Sequence, residues 1–209
     1  MKPDCDLLEF EKAQLLKGNN FIAGVDEVGR GPLAGPVVCC ACIMDLSPEN
    51  IIDGVWDSKK LTERKREELF DKIKEKAIAY RVEFVSEKVI DGINILEATK
   101  LCMANAINNL SVKPDVVLVD AVTNLKTDVK QVAIIKGDAR SYTIGCASIL
   151  AKVTRDRFMI DLAKTYPEYS FDKHKGYGTS AHIEALKRFG PSPVHRKTFI
   201  KNFMGESDE

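Results

Sequence analysis

The chain has 209 residues, with 31 Lys plus Arg balancing 31 Asp plus Glu, and 44% of it is apolar. That composition supplies enough apolar side chain for a full core and excludes wholesale disorder. Lys2, Asp4, Asp6 and Glu9 interrupt the first ten residues, so no secretory pattern is present, and the longest apolar run, Pro36 to Met44, is far short of a membrane span. A cytoplasmic protein is expected.

In chain order, residues 5 to 18 carry Leu7, Leu8, Phe10, Leu15 and Leu16 and predict a short helix. Phe21 to Val25 and Val37 to Met44 predict strands. The connection between them holds Gly29, Gly31 and Gly35 with Pro32 and Pro36, which makes a hairpin the expected arrangement. A polar loop runs to Leu61, and Thr62 caps a helix through about Ala77. Ala79 to Val85 reads as a half-buried strand with Tyr80, Val82 and Phe84 inward, and Arg81 and Glu83 outward. A helix is expected over Ile95 to Leu110. The short apolar strands Val116–Val119 and Val132–Ile135 follow, the first expected to be a central strand covered on both faces and the second similar to it. Ser141 to Ala163 is the longest helical segment, and Thr179 caps another that ends at Gly190. Between these lies an aromatic, basic stretch from Tyr166 to Gly178. The last residues, from Gly205, are expected to fray. A leading hairpin followed by strand–helix alternation predicts an α/β fold with a mixed sheet flanked by helices.

Six cysteines do not make a disulfide framework. Cys39, Cys40 and Cys42 share one apolar strand, whose neighbours point to opposite faces, and Cys5, Cys102 and Cys146 are isolated, so buried free thiols are expected. No GxGxxG opens a helix, no GxxxxGK[ST] occurs, and no HExxH or GxSxG is present, which argues against dinucleotide, phosphate-loop, zincin and serine-hydrolase chemistry.

Net neutrality hides an asymmetry. Residues 130–201 hold 14 Lys or Arg against 6 Asp or Glu, a balance of +8, and the remainder is −8. A basic C-terminal third can present a local positive surface to a nucleic acid. Lys136, Lys152, Lys173, Lys175 and Arg196 are its candidate phosphate contacts.

Four acids lie at or just past the ends of apolar strands. Asp26 and Glu27 follow the first, where a bend at Gly29 is expected to bring both to one centre; Asp120 and Asp138 follow the later two. Like charges repel and burial disfavours each ionised form, a conflict that hard divalent cations such as Mg²⁺ or Mn²⁺ resolve. Two ions about 4 Å apart suit phosphodiester hydrolysis. Glycoside hydrolysis also uses paired carboxylates and is not excluded by spacing, although the chain is poor in aromatic residues for a sugar platform.

The motifs align with a known family. "GVDEVGRGPLAGPVV" (Gly24–Val38), "DSKKL" (Asp57–Leu61), "LVD" (Leu118–Asp120), "KGDA" (Lys136–Ala139), "ASILAKVTRDR" (Ala147–Arg157), "HKGYGT" (His174–Thr179) and "PVHR" (Pro193–Arg196) together resemble ribonuclease HII of the bacterial type, in family order and over about residues 19–200. The resemblance implies a ribonuclease H-like fold with a five-stranded mixed sheet and a C-terminal helical, substrate-binding segment at about 165–203, all in one domain. It implies cleavage of RNA in RNA–DNA hybrids and incision 5′ of single ribonucleotides embedded in duplex DNA, leaving 3′-hydroxyl and 5′-phosphate ends, for ribonucleotide removal and RNA primer removal. It assigns Asp26, Glu27, Asp120 and Asp138 to metal, and Gly29, Arg30, Gly31, Tyr177, Lys59, Lys136, Lys175 and Arg196 to substrate. A monomer without a sliding-clamp motif is expected. The cysteines at 39, 40 and 42 depart from a stretch that is usually alanine-rich.

Overall fold

The computed structural model describes residues 6–55 and 58–204, apart from the side chain of Lys60. Cys5, Asp57 of the DSKKL motif and the expected frayed tail lie outside the described residues.

Helix α1 (Glu9–Leu15) leads into strands β1 (Ile22–Val28) and β2 (Val37–Met44). These pair antiparallel from Ala23↔Ile43 to Val28↔Val38, as the glycine- and proline-rich connection predicts. Helix α2 (Glu63–Lys76) starts where the Thr62 hydroxyl accepts from the Lys65 amide. Then come β3 (Ala77–Val85), α3 (Glu87–Ile93), α4 (Ile95–Asn108), β4 (Val116–Asp120) and β5 (Lys130–Ile134). Helix α5 (Tyr142–Thr165), with Ser141 capping it, is followed by α6 (Phe171–His174), α7 (Ser180–Phe189) and α8 (Lys197–Ile200). The sheet has five strands in the order β3-β2-β1-β4-β5, antiparallel on the β2 side of β1 and parallel on the β4 side. It is the ribonuclease H-like mixed sheet that the motifs imply.

Strand β2 is buried along its whole length because helices cover both faces of the sheet. Val37, Cys39, Ala41 and Ile43 pack with Ile90, Ala98, Cys102, Met103 and Ile107 of α3 and α4. Cys40, Cys42 and Met44 face Leu69 and Ile73 of α2 and Tyr142, Cys146 and Leu150 of α5. Cys39 therefore enters one layer and Cys40 and Cys42 the other, and Cys39, Cys40, Cys42, Cys102 and Cys146 are buried free thiols. Burial pushes the Cys42 thiol up to about 12, far from reactive thiolate.

Three local expectations are corrected. In β3 the buried positions are Ala79 and Val85, whereas Tyr80 and Phe84 are exposed. The strand is the sheet edge and helix cover is incomplete there; Phe84 packs its ring against that of Phe158, at 5.6 Å. Arg81 instead pairs with Glu83 at 2.7 Å, and Asn109 at the end of α4 donates to the same carboxylate. Strand β5, expected to be covered like β4, is the opposite sheet edge and is left largely uncovered, with Ile134 its buried position. Helix α3, absent from the sequence reading, precedes α4 with a break at Asn94 (φ 67°), whose side chain accepts from the Leu96 and Glu97 amides.

Helix α5 sits unusually close to β1. A Cβ at Gly24 would collide with the backbone of Thr143 and Ile144. The buried Glu11 of α1 reinforces this junction, accepting from the Ser141 hydroxyl (2.6 Å) and the Thr143 amide (2.9 Å) at the start of α5. Among the described residues no helix is long and apolar enough to cross a membrane.

Candidate active site

Strand β1 does not stop at Val25 but runs on through Asp26 and Glu27 to Val28, so the expected bend is replaced by regular pleating. Asp26 stands opposite Cys40, on the α5 face, and Glu27 opposite Cys39. What gathers the acids is register. The parallel β1–β4 pairing ends at Val25↔Val119, one residue before Asp26 and Asp120. Beyond β5, Lys136 takes a left-handed conformation (φ 56°), and the Gly137 amide donates to Asp120 Oδ1 at 2.8 Å, which sets the adjacent Asp138 beside that acid. A Cβ at Gly137 would meet Ile144 Cδ1 at 2.6 Å, so a larger residue would have to push the end of that side chain aside. All four acids thus meet at one end of the sheet.

Their electrostatics are costly. Burial first, and then the Glu27 charge, holds the Asp26 carboxyl well above its usual range, against a lowering hydrogen bond from Ser148 of α5. Burial also raises Glu27, with Arg30 opposing it, and raises Asp120, with the Gly137 amide opposing it. Arg30 Nη1 lies 3.5 Å from Glu27 Oε1, and Lys59 Nζ lies 3.4 Å from Asp138 Oδ2. Lys59 is 80% exposed and therefore weakly coupled. Its loop is docked by a 2.8 Å hydrogen bond between the Ser58 and Ser148 hydroxyls. Among the described residues no group of three His, Cys, Asp or Glu side chains is already placed to hold a metal ion. The donor set is nonetheless all carboxylate, without thiolate or imidazole, and three of its members carry charge repulsion or desolvation that a hard divalent cation relieves.

The glycine turn beside the acids is held from behind by two buried guanidinium groups. Arg196 donates from Nε to Gly35 O (2.9 Å), from Nη1 to Arg30 O (2.9 Å) and from Nη2 to Gly29 O (2.6 Å) and Gly35 O (2.8 Å). Arg155 donates to Pro36 O (3.0 Å), Ala34 O (3.2 Å) and Lys175 O (2.9 Å). Arg196 is therefore not a phosphate contact: it is 0% exposed and its donors are spent on carbonyls. Burial lowers Arg155 to about 10 and Arg196 to about 9, so both remain charged at neutral pH. Arg155 stands in the ASILAKVTRDR motif but receives no role from the sequence; nothing in the periodicity distinguishes an arginine that faces carbonyls from one that faces water.

Tyr177, 40% exposed, joins this turn. A Cβ on Gly31 would lie 3.8 Å from Tyr177 Cε1, and the Arg155 guanidinium is 6.0 Å from the ring centroid. The remaining lysines divide. Lys136 and Lys173 are exposed, Lys175 is half-buried with its ammonium on the Asp172 carbonyl, and Lys152 is paired with Asp156 at 2.8 Å.

Sheet order and strand-end acids define a nuclease of the ribonuclease H-like class. A profile described as ribonuclease HII matches residues 23–202. Ribonuclease HII of Caldicellulosiruptor bescii is 53% identical over 204 residues, covering 98% of both chains. Among solved structures, ribonuclease H2 from Pyrococcus horikoshii superposes with TM-score 0.76 at 33% identity, covering 88% of this chain and 97% of that one. Ribonuclease HII from Archaeoglobus fulgidus, solved in complex with PCNA, gives 0.74 at 28%, covering 87% and 96%. The chain belongs to the ribonuclease HII family. It is accordingly a metal-dependent endoribonuclease acting on RNA–DNA hybrids and on ribonucleotides in DNA.

Proposed function

We propose that Asp26, Glu27, Asp120 and Asp138 hold Mg²⁺ or Mn²⁺ in the reacting complex, with two ions as the expected number. Bound there, the metal supplies Lewis acidity toward the phosphodiester and neutralises the acids. The chain's own residues do the rest. The Gly29–Arg30–Gly31 turn reads the ribose, Tyr177 packs against the following deoxy sugar, and Lys59, Lys136 and Lys175, with the segment at about 165–203, hold the phosphate track. Arg196 acts behind the turn as a positioning residue. Cleavage falls 5′ of the ribonucleotide and leaves 3′-hydroxyl and 5′-phosphate ends. The reading takes a monomer as the acting unit.

The observation that carries this reading is the nearness of the Tyr177 ring to Gly31, a Cβ on which would lie 3.8 Å from Tyr177 Cε1, in a turn whose Arg30 lies 3.5 Å from Glu27. Glycines leave the backbone open to close approach, and a 2′-hydroxyl both donates and accepts there. Deoxyribose leaves those backbone groups unpaired, at roughly 1–3 kcal/mol each, so two such losses give discrimination of about 10²–10⁴.

The test compares an RNA–DNA hybrid, a DNA duplex with one ribonucleotide and an all-DNA duplex, each with Mg²⁺, Mn²⁺ or chelator. The first two are cut with metal, the third is not, and chelator stops all cutting. Comparable nicking of the all-DNA duplex overturns ribose reading, and turnover in chelator overturns the metal role.

A further inference from the structure

Helices α6 and α7 and the segment before α8 bring His174, His182 and His195 together under Tyr177. His182 Nε2 and His195 Nε2 are 3.0 Å apart, and the His174 and His182 rings stack at 4.4 Å. His182 and His195 are buried, and no step proposed above uses them.

Their hydrogen bonds fix every proton. The Ser192 amide can only donate, and it lies 3.0 Å from His195 Nδ1, so that nitrogen is the acceptor. The Ser192 hydroxyl, 2.8 Å from the same atom, donates as well. The single proton of neutral His195 is then on Nε2, aimed at His182 Nε2, which must accept. His182 therefore carries its proton on Nδ1 and donates it to the Tyr177 carbonyl at 2.9 Å. The same logic holds His174 neutral: its Nδ1 accepts from the Gly176 amide (3.2 Å) and its Nε2 donates to Tyr169 O (2.7 Å).

We infer that Ser192, His195 and His182 form a neutral, one-directional hydrogen-bond relay whose end holds the Tyr177 backbone, making the two histidines positioning residues for recognition of a single embedded ribonucleotide. The inference rests on the reading of Tyr177 as the sugar-packing residue. Protonating His182 would set two N–H groups head to head, and protonating His195 would do the same against the Ser192 amide. Burial disfavours the charged forms, bringing His195 down to about 4 and lowering His182 and His174. The other groups facing the trio are Asp172 and Lys175 beside His174, Tyr169 edge-on to His195 at 4.9 Å, Glu168 beside Tyr169, and Arg155 over the Tyr177 ring.

The experiment measures kcat/KM on the single-ribonucleotide duplex and on a long hybrid for wild type, His195→Phe, His195→Gln and Tyr177→Ala. Phenylalanine keeps the ring and removes both nitrogens, whereas glutamine keeps a donor toward His182. His195→Phe is expected to lose about tenfold on the single ribonucleotide and under about threefold on the hybrid, with glutamine restoring most of the difference. Equal losses on both substrates, or no rescue, overturn the relay. If Tyr177→Ala itself loses equally on both, the reading of Tyr177 fails; if only His195→Phe does, the relay alone fails. Should His195→Phe not fold, two wild-type measurements decide. Nitrogen-15 spectra must show protons on His195 Nε2 and His182 Nδ1, and the opposite tautomers overturn the relay. The ratio of the two kcat/KM values must hold steady at higher pH and fall as pH approaches about 4, since a ratio cancels carboxylate titration common to both substrates; a ratio that stays flat through that value overturns it.

Discussion

Asp26 shows how one residue carries opposite demands. Its side chain is buried against Ser148 and beside two other acids, a position that destabilises the charged form. The sign is definite: with its carboxyl held above the ordinary range, the stability that its neutral form contributes is present at low pH and is lost as pH rises through the raised value. In chelator at neutral pH, Asp26→Asn is therefore expected to raise Tm by about 2–4 °C, on the order of 1 kcal/mol for a chain of this size. The same change, and Asp120→Asn, should cut turnover by more than about a hundredfold at saturating Mg²⁺, because each removes a proposed ligand while keeping its shape. Calorimetry and kinetics on the same preparations check both; near-normal turnover by either variant rejects the metal assignment. The aspect of Asp26 that was hidden in sequence is its setting. Strand-end position picked out the acid, but its continued pairing with β2 depends on Cys40 and its neighbours, which no local pattern of β1 reveals.

At the scale of elements, the connection between β1 and β2 is the part most finely made. Gly29 has φ 93°, and a Cβ there would fall on the Arg155 guanidinium and lie 2.8 Å from Pro36 O. Gly29→Ala is thus strained twice, by backbone and by contact. Cutting at a single ribonucleotide is expected to fall at least about tenfold, with a measurable drop in Tm; an alanine variant with wild-type kinetics would show that the turn's conformation is not what reads the sugar. Elements with chemical punctuation were legible beforehand. Thr62 and Thr179 cap the helices that they were expected to cap, and β2 occupies the span its apolar run predicts. Elements whose form depends on neighbours were not. Helix α3 is a short segment fixed by Asn94 and packing of Ile90, and the inward face of β3 is decided by which helix covers a sheet edge.

For the whole molecule, neutrality in sum coexists with a basic C-terminal third. Two of its candidates, Lys136 and Lys173, are exposed and free to approach a duplex, whereas Arg196 and Lys152 are already engaged. Replacing Lys136 and Lys173 with alanine should weaken binding to hybrid and single-ribonucleotide duplexes by similar factors, and should lower the slope of log affinity against log salt by up to about 2. Titrations at several salt concentrations measure this, and an unchanged slope would remove these lysines from the interface. Charge counting proposes the region, but only packing sorts its members into buried and exposed, because a buried arginine and an exposed one look alike in a string of letters.

The clamp on the glycine turn also sets an order of events. Arg196 reaches back across 161 residues to Gly35 and 167 to Gly29. A chain emerging from the ribosome completes β1, β4 and the residue at 138 well before residue 196 appears, and contacts so distant in sequence close late. The clamp on the turn that is proposed to read the sugar therefore closes only when the C-terminal end of the chain is in place. If that turn reads the sugar as proposed, discrimination between ribose and deoxyribose leans on contacts supplied from the far end of the chain, so loosening the C-terminal helices should cost selectivity before it disturbs the acids.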